Sequence, residues 1–523
     1  MLAGCSRSGP NEATMAPSPL LPKENGAIVL RTKVDPQLTL WEAILPPEFS
    51  ALPPGLERID RLLDDPVFFE PFVAFFDPMI GRPSIPIETY LRMMVLRFRY
   101  RMGFETLCAE VTDSLTWRRF CRIGLCDTVP DPSTLMKITT RCGEVTVSAL
   151  NEKLLEKANA AHLIKVDKVR ADTTVVPANV AYPTDSGLLA KGVAKLTKTV
   201  GAIKAAGLAR RTRFRDRTRS VRRRAHQIAA WLRRRSGDAK DEVLALTAEL
   251  ATIAESTIKD AQNVATNACR GLRRAGEGAS GKATSLVAEL ERTIGVLEQI
   301  VAQTRTRLAG EVPDGSTRVV SLHDTDARPI AKGRLGRPVE FGFKAQVVDN
   351  ADGIVLDHGV NMGNPPDAPM LAPAIARIGK LISKIPKAAT ADRGYGEAKV
   401  EEELHALGVT HVAIPRKGRP GAARQGVESS RRFRKLVKWR TGSEGRISYL
   451  KHSYGWERTP LDGIDGARTW CGWGIFAHNA TKIALLSDAR ETKSEPTTSE
   501  QHRSTTTKRE SGRPPPTPKK IPA

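Results

Sequence analysis

The stretch that decides the fold runs from Leu163 to Val176 and reads LIKVDKVRADTTVV. It is rich in β-branched residues, which favour the extended backbone of a sheet. The pattern predicts one strand, or two strands joined by a kink, with Asp172 where the first part ends. An acid at the end of a strand projects into the crevice where α/β folds hold their functional sites. This stretch therefore predicts an α/β fold and a candidate site residue at Asp172.

The sequence after residue 316 repeats this pattern of strands and helices. Residues 339–348 and 354–360 alternate around a turn and predict a β-hairpin. A helix is predicted from Asp367, and a short strand follows that ends at Asp392. A further helix, a strand over 409–414 and a final helical stretch from about Ser430 complete the region. Asp392 thus becomes a second acid at the end of a strand.

The preceding part of the chain, residues 35–160, is predicted to be helical. Ile87–Arg101 has apolar residues at helical spacing, Gly103 interrupts it, and Phe104–Arg122 continues as a second helix. A third helix is predicted to begin at Pro132. Short helices separated by a glycine turn are typical of a helix-turn-helix DNA-binding element, and equally of a small helical bundle.

Residues 187–315 predict a basic helical segment. Apolar residues from Leu286 to Leu308 recur about every three and a half positions, which favours a helical hairpin with coiled-coil character. Upstream lies a dense group of arginines, among them Arg210, Arg211, Arg213, Arg222, Arg223 and Arg224. These arginines either form a solvated helix face or contact phosphates; the scarcity of acids among them favours phosphate contact.

The composition indicates a partner that is a polyanion. Lysine and arginine number 81 against 58 acids, a formal net charge of +23. Such an excess favours nucleic acid, because phosphate contacts release bound counterions. No apolar run is long enough to span a membrane, and the scattered cysteines predict reduced thiols in a cytoplasm. Residues 1–34 and 488–523 are predicted to be disordered, and Met15 is a candidate start in place of Met1; a lipoprotein signal at Cys5 is disfavoured.

A third acid, Glu444, is predicted on a late helix. The residues Phe433, Val437, Arg440, Glu444, Ile447 and Lys451 are spaced alternately by four and three, which would place them on one helical face. One interpretation is a simple ion pair between Arg440 and Glu444. The other is a metal-binding glutamate whose neighbouring cations, Arg440 and Lys451, hold DNA phosphates.

At this point the chain resembles the DDE transposases of bacterial insertion sequences. Arg440, Glu444 and Lys451 reproduce the R-x3-E-x6-K core of the signature around their catalytic glutamate. Val437 stands where that signature usually has tyrosine. Arg170–Val176 is similar to their first-aspartate segment, and Asp392-Arg393-Gly394-Tyr395 is similar to the D-x-G-Y segment of the second.

The resemblance implies an RNase H-like mixed sheet flanked by helices, formed by residues 161–186 and 316–487. An N-terminal helical domain (35–160) would precede this core, and residues 187–315 would be an insertion. Asp172, Asp392 and Glu444 would hold two Mg²⁺ ions, with Mn²⁺ as an alternative and Asp172 bridging them. The partners would be the terminal repeats of the element and target DNA, bound by a homodimer associated with the bacterial nucleoid.

Alternatives remain at this stage. Glu457 competes with Glu444 for the third position, although it lacks the phased cations. The chain could also be a transposase-derived DNA-binding protein without cutting activity, or a related nuclease that cuts without joining.

Overall fold

The computed structural model describes residues 28–34, 44, 46, 51–234, 237–276, 280–334 and 337–494. Cys5, Met15 and the tail from residue 495 lie outside the described residues. Regular structure extends into both segments predicted to be disordered. Strand β1 (Ile28–Val29) pairs with β2 (Arg82–Pro83), and the last helix reaches Ser494.

A helical bundle precedes the main sheet. Its helices are α1 (Pro54–Leu63), α2 (Glu70–Val73), α3 (Ile87–Arg99), α4 (Phe104–Asp113), α5 (Leu115–Phe120) and α6 (Pro132–Ala160). Every residue of α3 from Ile87 to Phe98 is buried. A helix buried on all sides is the centre of a bundle, so α3 is not a recognition helix that lies in a DNA groove. Helix α6 begins after Asp131, whose carboxylate accepts a hydrogen bond from the Ser133 amide at 2.8 Å.

Within the described residues, six strands form one mixed sheet. They are β3 (Lys168–Pro177), β4 (Arg328–Arg334), β5 (Arg337–Asn350), β6 (Val355–Met362), β7 (Ala388–Thr390) and β8 (His411–Ala413). The order is β4–β5–β3–β7–β8, and β6 pairs with the later half of β5. Strand β3 is antiparallel to β5 and parallel to β7. The predicted hairpin is confirmed as β5–β6, and the α/β class with a mixed sheet between helices is confirmed as well.

Between β3 and β4, four helices form a unit with its own core. They are α7 (Asp185–Ala205), α8 (Thr218–Trp231), α9 (Ala239–Ala275) and α10 (Gly281–Leu308). Their buried aliphatic side chains cluster together, joined by Val319 and Leu322. Contacts of Glu255 with Arg305 and of Gln262 with Glu298 show that α9 and α10 run antiparallel. The predicted hairpin is therefore half of a four-helix unit.

The remaining helices surround the sheet. They are α11 (Ala368–Ile382), α12 (Ala398–Ala406), α13 (Ala422–Ser429), α14 (Arg431–Arg440), α15 (Gly442–Ser453) and α16 (Gly463–Ser494). The α16 side chains Trp473 and Phe476 contact Tyr90 and Phe68 of the bundle edge to face, so bundle and sheet share one core. No helix in the described ranges has the length and apolarity needed to cross a membrane.

Candidate active site

Asp172 lies in the interior of β3, which continues to Pro177. The prediction that it ends a strand is wrong, and the reason is the long partner strand β5, which pairs with β3 from Val169 to Pro177. On the other edge, pairing with β7 ends at Arg170 opposite Thr390. The β7 side of β3 is therefore open at Asp172, and the expected crevice forms at this edge.

Asp392 stands level with Asp172 across this opening. The parallel register pairs Lys168 with Ala388 and Arg170 with Thr390, so its continuation brings position 172 opposite position 392. Neighbouring strands lie about 4.8 Å apart. Asp392 caps the short 3-10 turn Arg393–Tyr395 by accepting a hydrogen bond from the Gly394 amide at 2.8 Å.

The Asp172 carboxylate is 8% exposed and is held by groups from the opposite end of the chain. Its Oδ2 accepts a hydrogen bond from the Ser443 hydroxyl at 2.8 Å and lies 3.4 Å from Nη1 of Arg440. Burial raises the pKa of Asp172 above its usual value, and the negative charge of Asp392 adds to this increase. The hydrogen bonds from Ser443 and the Thr173 amide oppose the increase in pKa without cancelling it.

Glu444 follows Ser443 in the first turn of α15 and is exposed. The continuous helix predicted from Phe433 to Lys451 is wrong, because α14 ends at Arg440 and α15 begins at Gly442. Arg440 forms its ion pair with Asp172. Arg440 and Ser443, which stand on either side of this break, both contact Asp172, while Glu444 is exposed.

A buried ion network fixes the start of α15 against the sheet. The Arg170 guanidinium donates two hydrogen bonds to Asp349, both of 2.8 Å, and a third to the Trp439 carbonyl at 3.0 Å. Arg446 of α15 reaches the same carboxylate at 3.2 Å. A Cβ atom at Gly442 would lie 2.2 Å from Nη1 of Arg170, so only glycine permits this approach. The network therefore positions the helix that carries Glu444.

Asp367 is a further acid beside the site, which sequence reasoning treated only as a helix start. Its carboxylate lies 2.7 Å from Nζ of Lys344. A Cβ atom at Gly394 would lie 2.7 Å from Oδ2 of Asp367 and 2.9 Å from Oδ1 of Asp392. The absence of a side chain at Gly394 lets both carboxylates approach the same turn. The only sequence signal was an acid at the start of a helix, a common capping position.

Gly394→Ala is expected to reduce activity while the protein still folds. The added methyl group would displace the Asp392 or Asp367 carboxylate, and misplacing a reacting group by about 1 Å can cost on the order of a hundredfold in rate. DNA cleavage rates of Gly394→Ala measure this effect. Gly359→Ala is the matched control, because a Cβ atom there meets nothing within 4 Å. Equal rates for Gly394→Ala and wild type would contradict the assignment of this turn to the site.

The rival residues have structural partners elsewhere. Glu457 pairs with Arg101 at 2.8 Å on the bundle. Asp324 accepts hydrogen bonds from the amides of Ala327 and Gly463, and so holds the loop before α16. His478 is fully buried, which lowers its pKa to about 3, so the neutral ring donates to the Gly353 carbonyl at 3.0 Å.

The predicted DNA-contacting arginines lie on and before α8. Arg210, Arg211, Arg213, Arg222 and Arg223 are exposed. Arg224 is partly buried and pairs with Glu249 at 2.5 Å. Lys451, in the last turn of α15, is also partly buried. Phosphate contact by these residues stays a prediction.

The donor atoms of the site fit a hard divalent cation. Mg²⁺ is usually bound by one or two carboxylates together with substrate phosphate and water. Asp172 and Asp392 supply two carboxylates at neighbouring positions of the open edge. In the part of the chain that the structure describes, no three acidic, histidine or cysteine side chains lie close enough together to hold an ion. Glu444 is exposed beside Ser443, and its role as a third ligand stays a prediction.

Comparison with known proteins gives two family matches. Residues 48–141 match the family described as "Transposase domain (DUF772)", and residues 313–480 match "Transposase DDE domain". A curated protein of Rhizobium meliloti, described as "Uncharacterized protein ORF8 in nfe locus", is 26% identical over 149 residues, which are 28% of this chain and 72% of that protein. No solved structure matches the chain. The first match covers the bundle as far as Arg141 in α6, and the second covers Asp392 and Glu444 but begins after Asp172.

Proposed function

Because the chain belongs to the DDE transposases of insertion sequences, we propose that it cleaves DNA at the ends of such an element and joins the freed ends to target DNA. Asp172, Asp392 and Glu444 are the proposed metal-binding acids. The observation that carries the proposal is the buried Asp172, level with Asp392 and bonded to the residue before Glu444. DNA ends from two sides of an element would be held by a homodimer, which we expect to associate with the nucleoid.

Two Mg²⁺ ions, or Mn²⁺, bound by these acids would activate the attacking oxygen and stabilise the leaving oxygen of the phosphodiester. Asp172 is suited to the central position, because its buried carboxylate is fixed by β3 on one side and by Ser443 on the other. The Arg440 guanidinium lies 3.4 Å from the Asp172 carboxylate. It would hold a DNA phosphate beside the metal-binding acids.

The test is a strand-transfer assay with DNA carrying the terminal repeats of the element, with and without Mg²⁺. Joined products that form only when Mg²⁺ is present support transposition. Cleavage without joining would indicate the related nuclease, and DNA binding without either reaction would indicate an inactive DNA-binding derivative.

Replacing the exposed arginines Arg210, Arg211, Arg213, Arg222 and Arg223 with glutamine is expected to weaken binding to all DNA sequences. The slope of log K against log salt should fall by about 0.9 for each phosphate that the variant no longer binds. Fluorescence anisotropy over a salt series measures that slope. Arg292→Gln is the control, because Arg292 is engaged by Glu289 on α10. An unchanged slope in the multiple variant would show that this face is only solvated.

A further inference from the structure

Helix α3 carries two buried arginines with opposite surroundings. Arg92 is fully buried and reaches three carboxylates, those of Asp60, Asp64 and Glu88. Arg97 is 5% exposed. Among the described residues, its guanidinium has no carboxylate partner and donates no hydrogen bond, and its Nε is fully enclosed. Arg92 is thus paired with several carboxylates, whereas Arg97 forms no ion pair among the described residues and feels the charge of Glu105 only from beyond ion-pair distance.

Aromatic rings hold the Arg97 guanidinium in place. Its central carbon lies 3.8 Å from the ring centre of Phe104 and 4.6 Å from that of Trp470. Rings stabilise a cation through their faces, but they do not satisfy its N–H donors. Burial lowers the pKa of Arg97 to about 10, so the group remains charged at neutral pH. An unpaired buried charge destabilises a fold, and its retention here indicates a ligand.

Arg97 lines a cleft of about 1200 Å³ between the bundle and the sheet. The cleft runs from the α3–α4 turn to the end of β3 at Pro177, and the rim carries Arg101 and Arg458. Arg101 pairs with Glu457, while Arg458 reaches only the Asn179 amide oxygen, at 3.4 Å. The other acid of the cleft, Glu340, pairs with Lys332 at 2.8 Å. The charges of Arg97 and Arg458 therefore have no compensating carboxylate in the cleft.

The cleft also presents aromatic surface. Tyr182 is 80% exposed and contacts Phe341 edge to face, with ring centres 5.6 Å apart. Both residues line the cleft with Trp470. Arginine beside exposed aromatic rings is the combination that binds the phosphate and the base of a nucleic-acid strand.

We propose that this cleft binds the backbone of the DNA substrate, with one phosphate on Arg97 and, where the strand is unpaired, the adjacent base against Tyr182. The proposal rests on the proposed function, since it assigns a second contact to the same DNA. Strand β3 connects the two places, because Asp172 and Pro177 are separated by five residues, or roughly 17 Å. That separation corresponds to about five nucleotides of a strand at 3.4 Å each. The cleft would thus fix the DNA about half a turn from the bond that is cut.

The first test measures binding of a fluorescein-labelled duplex in EDTA, where no cleavage occurs. Arg97→Met keeps the packing volume and removes the charge. It is expected to weaken binding by about tenfold or more and to lower the salt slope by about 0.9. Its melting temperature should equal or exceed that of the wild type, because an unpaired buried charge is removed. Arg99→Met is the matched control on the same helix, since Arg99 bonds Thr481 and does not line the cleft.

A lower melting temperature with unchanged DNA binding would show that Arg97 is only structural and would overturn the proposal. If Arg97→Met does not fold, the rim variants Arg101→Gln and Arg458→Gln test the proposal instead, because Arg101 and Arg458 lie on the surface. Unchanged affinity in both would also overturn it. These assays do not depend on metal chemistry. If the proposal that the cleft binds DNA is overturned, the cleavage assay remains a separate test of the proposed function.

The second test identifies the occupant. Trp470 is labelled as 5-fluorotryptophan, and its ¹⁹F resonance is assigned by its loss in Trp470→Phe. The duplex is expected to shift this resonance in wild type and not in Arg97→Met. A shift with inorganic phosphate but not with the duplex would assign the cleft to a free anion and overturn the DNA proposal.

Discussion

Asp172→Asn, Asp392→Asn and Glu444→Gln are each expected to reduce DNA cleavage by on the order of a thousandfold. Each change removes a metal-binding charge and keeps the shape of the side chain. A metal ion contributes several kcal/mol to stabilising the transition state, and about 4 kcal/mol corresponds to a thousandfold in rate. Single-turnover cleavage in saturating Mg²⁺ measures the loss, and anisotropy verifies that the duplex still binds.

Glu457→Gln is the control for the third acid, since Glu457 pairs with Arg101 away from Asp172. It is expected to cleave at the wild-type rate when DNA is saturating, although the release of Arg101 on the cleft rim changes DNA affinity. Normal cleavage by Glu444→Gln together with loss of cleavage in Glu457→Gln would refute the assignment of the third carboxylate.

The same Asp172→Asn variant is expected to be more stable than the wild type at neutral pH. The pKa of Asp172 is raised in the folded protein by burial, so at neutral pH the unfolded chain accommodates the ionised carboxylate better. As pH falls below the usual value of 3.8, the carboxyl is protonated in both states and the difference in stability disappears. Thermal unfolding of the wild type and of Asp172→Asn across this pH range measures the difference in stability. Equal melting temperatures at neutral pH would contradict the prediction.

Asp349→Ala is expected to lower the free energy of unfolding by about 3–5 kcal/mol, since it leaves two buried arginines facing each other. Asp349 is 1% exposed, and it binds Arg170 and Arg446. Urea denaturation measures the change. Glu255→Ala is the control, because its ion pair with Arg305 is exposed, and exposed pairs contribute about 0–1 kcal/mol. A loss of similar size in both variants would contradict the structural role of the network.

The network also has a consequence for activity. Arg446 belongs to the helix that carries Glu444, so Asp349→Asn should slow cleavage even where the protein remains folded. Added Mg²⁺ should restore part of this rate if Glu444 has lost its position, because more metal favours the arrangement in which it is bound. Full activity in folded Asp349→Asn would show that the ion network does not contribute to the activity of the site.

Sequence patterns were sufficient where a local rule decides the structure. The β-branched residues around Asp172 predicted β3, and the turn Asp349–Gly353 predicted the β5–β6 hairpin, because strand preference and turn chemistry act over a few residues. Asp392 follows β7 as predicted, but Asp172 lies inside β3, so its place at the open edge depends on where the pairing with β7 stops.

Other features depended on contacts between distant parts of the chain. Asp349 was interpreted as a turn residue, although its carboxylate binds arginines from β3 and α15. Helical spacing predicted one helix through Thr441, but α14 ends at Arg440 and α15 begins at Gly442, and Trp439 and Ser443 on either side of this break bond to β3. Arg97 had only the spacing of a buried helix residue, and its missing counter-ion is visible only once its neighbours are known. Periodicity describes one element and does not identify the groups opposite it.

The hydrogen bond between Asp172 and Ser443 joins residues 271 positions apart in the chain. A ribosome adds about 5–20 residues per second, so Ser443 is synthesised roughly 15–50 s after Asp172. During that time the four-helix unit is completed first, β5 and β7 are then added beside β3, and α15 follows only at the end. Pairing over such long separations is also the slowest step in folding. The acidic site therefore cannot assemble until most of the chain has been synthesised, and a nascent chain presents its basic helices well before Asp172 meets its partner in α15.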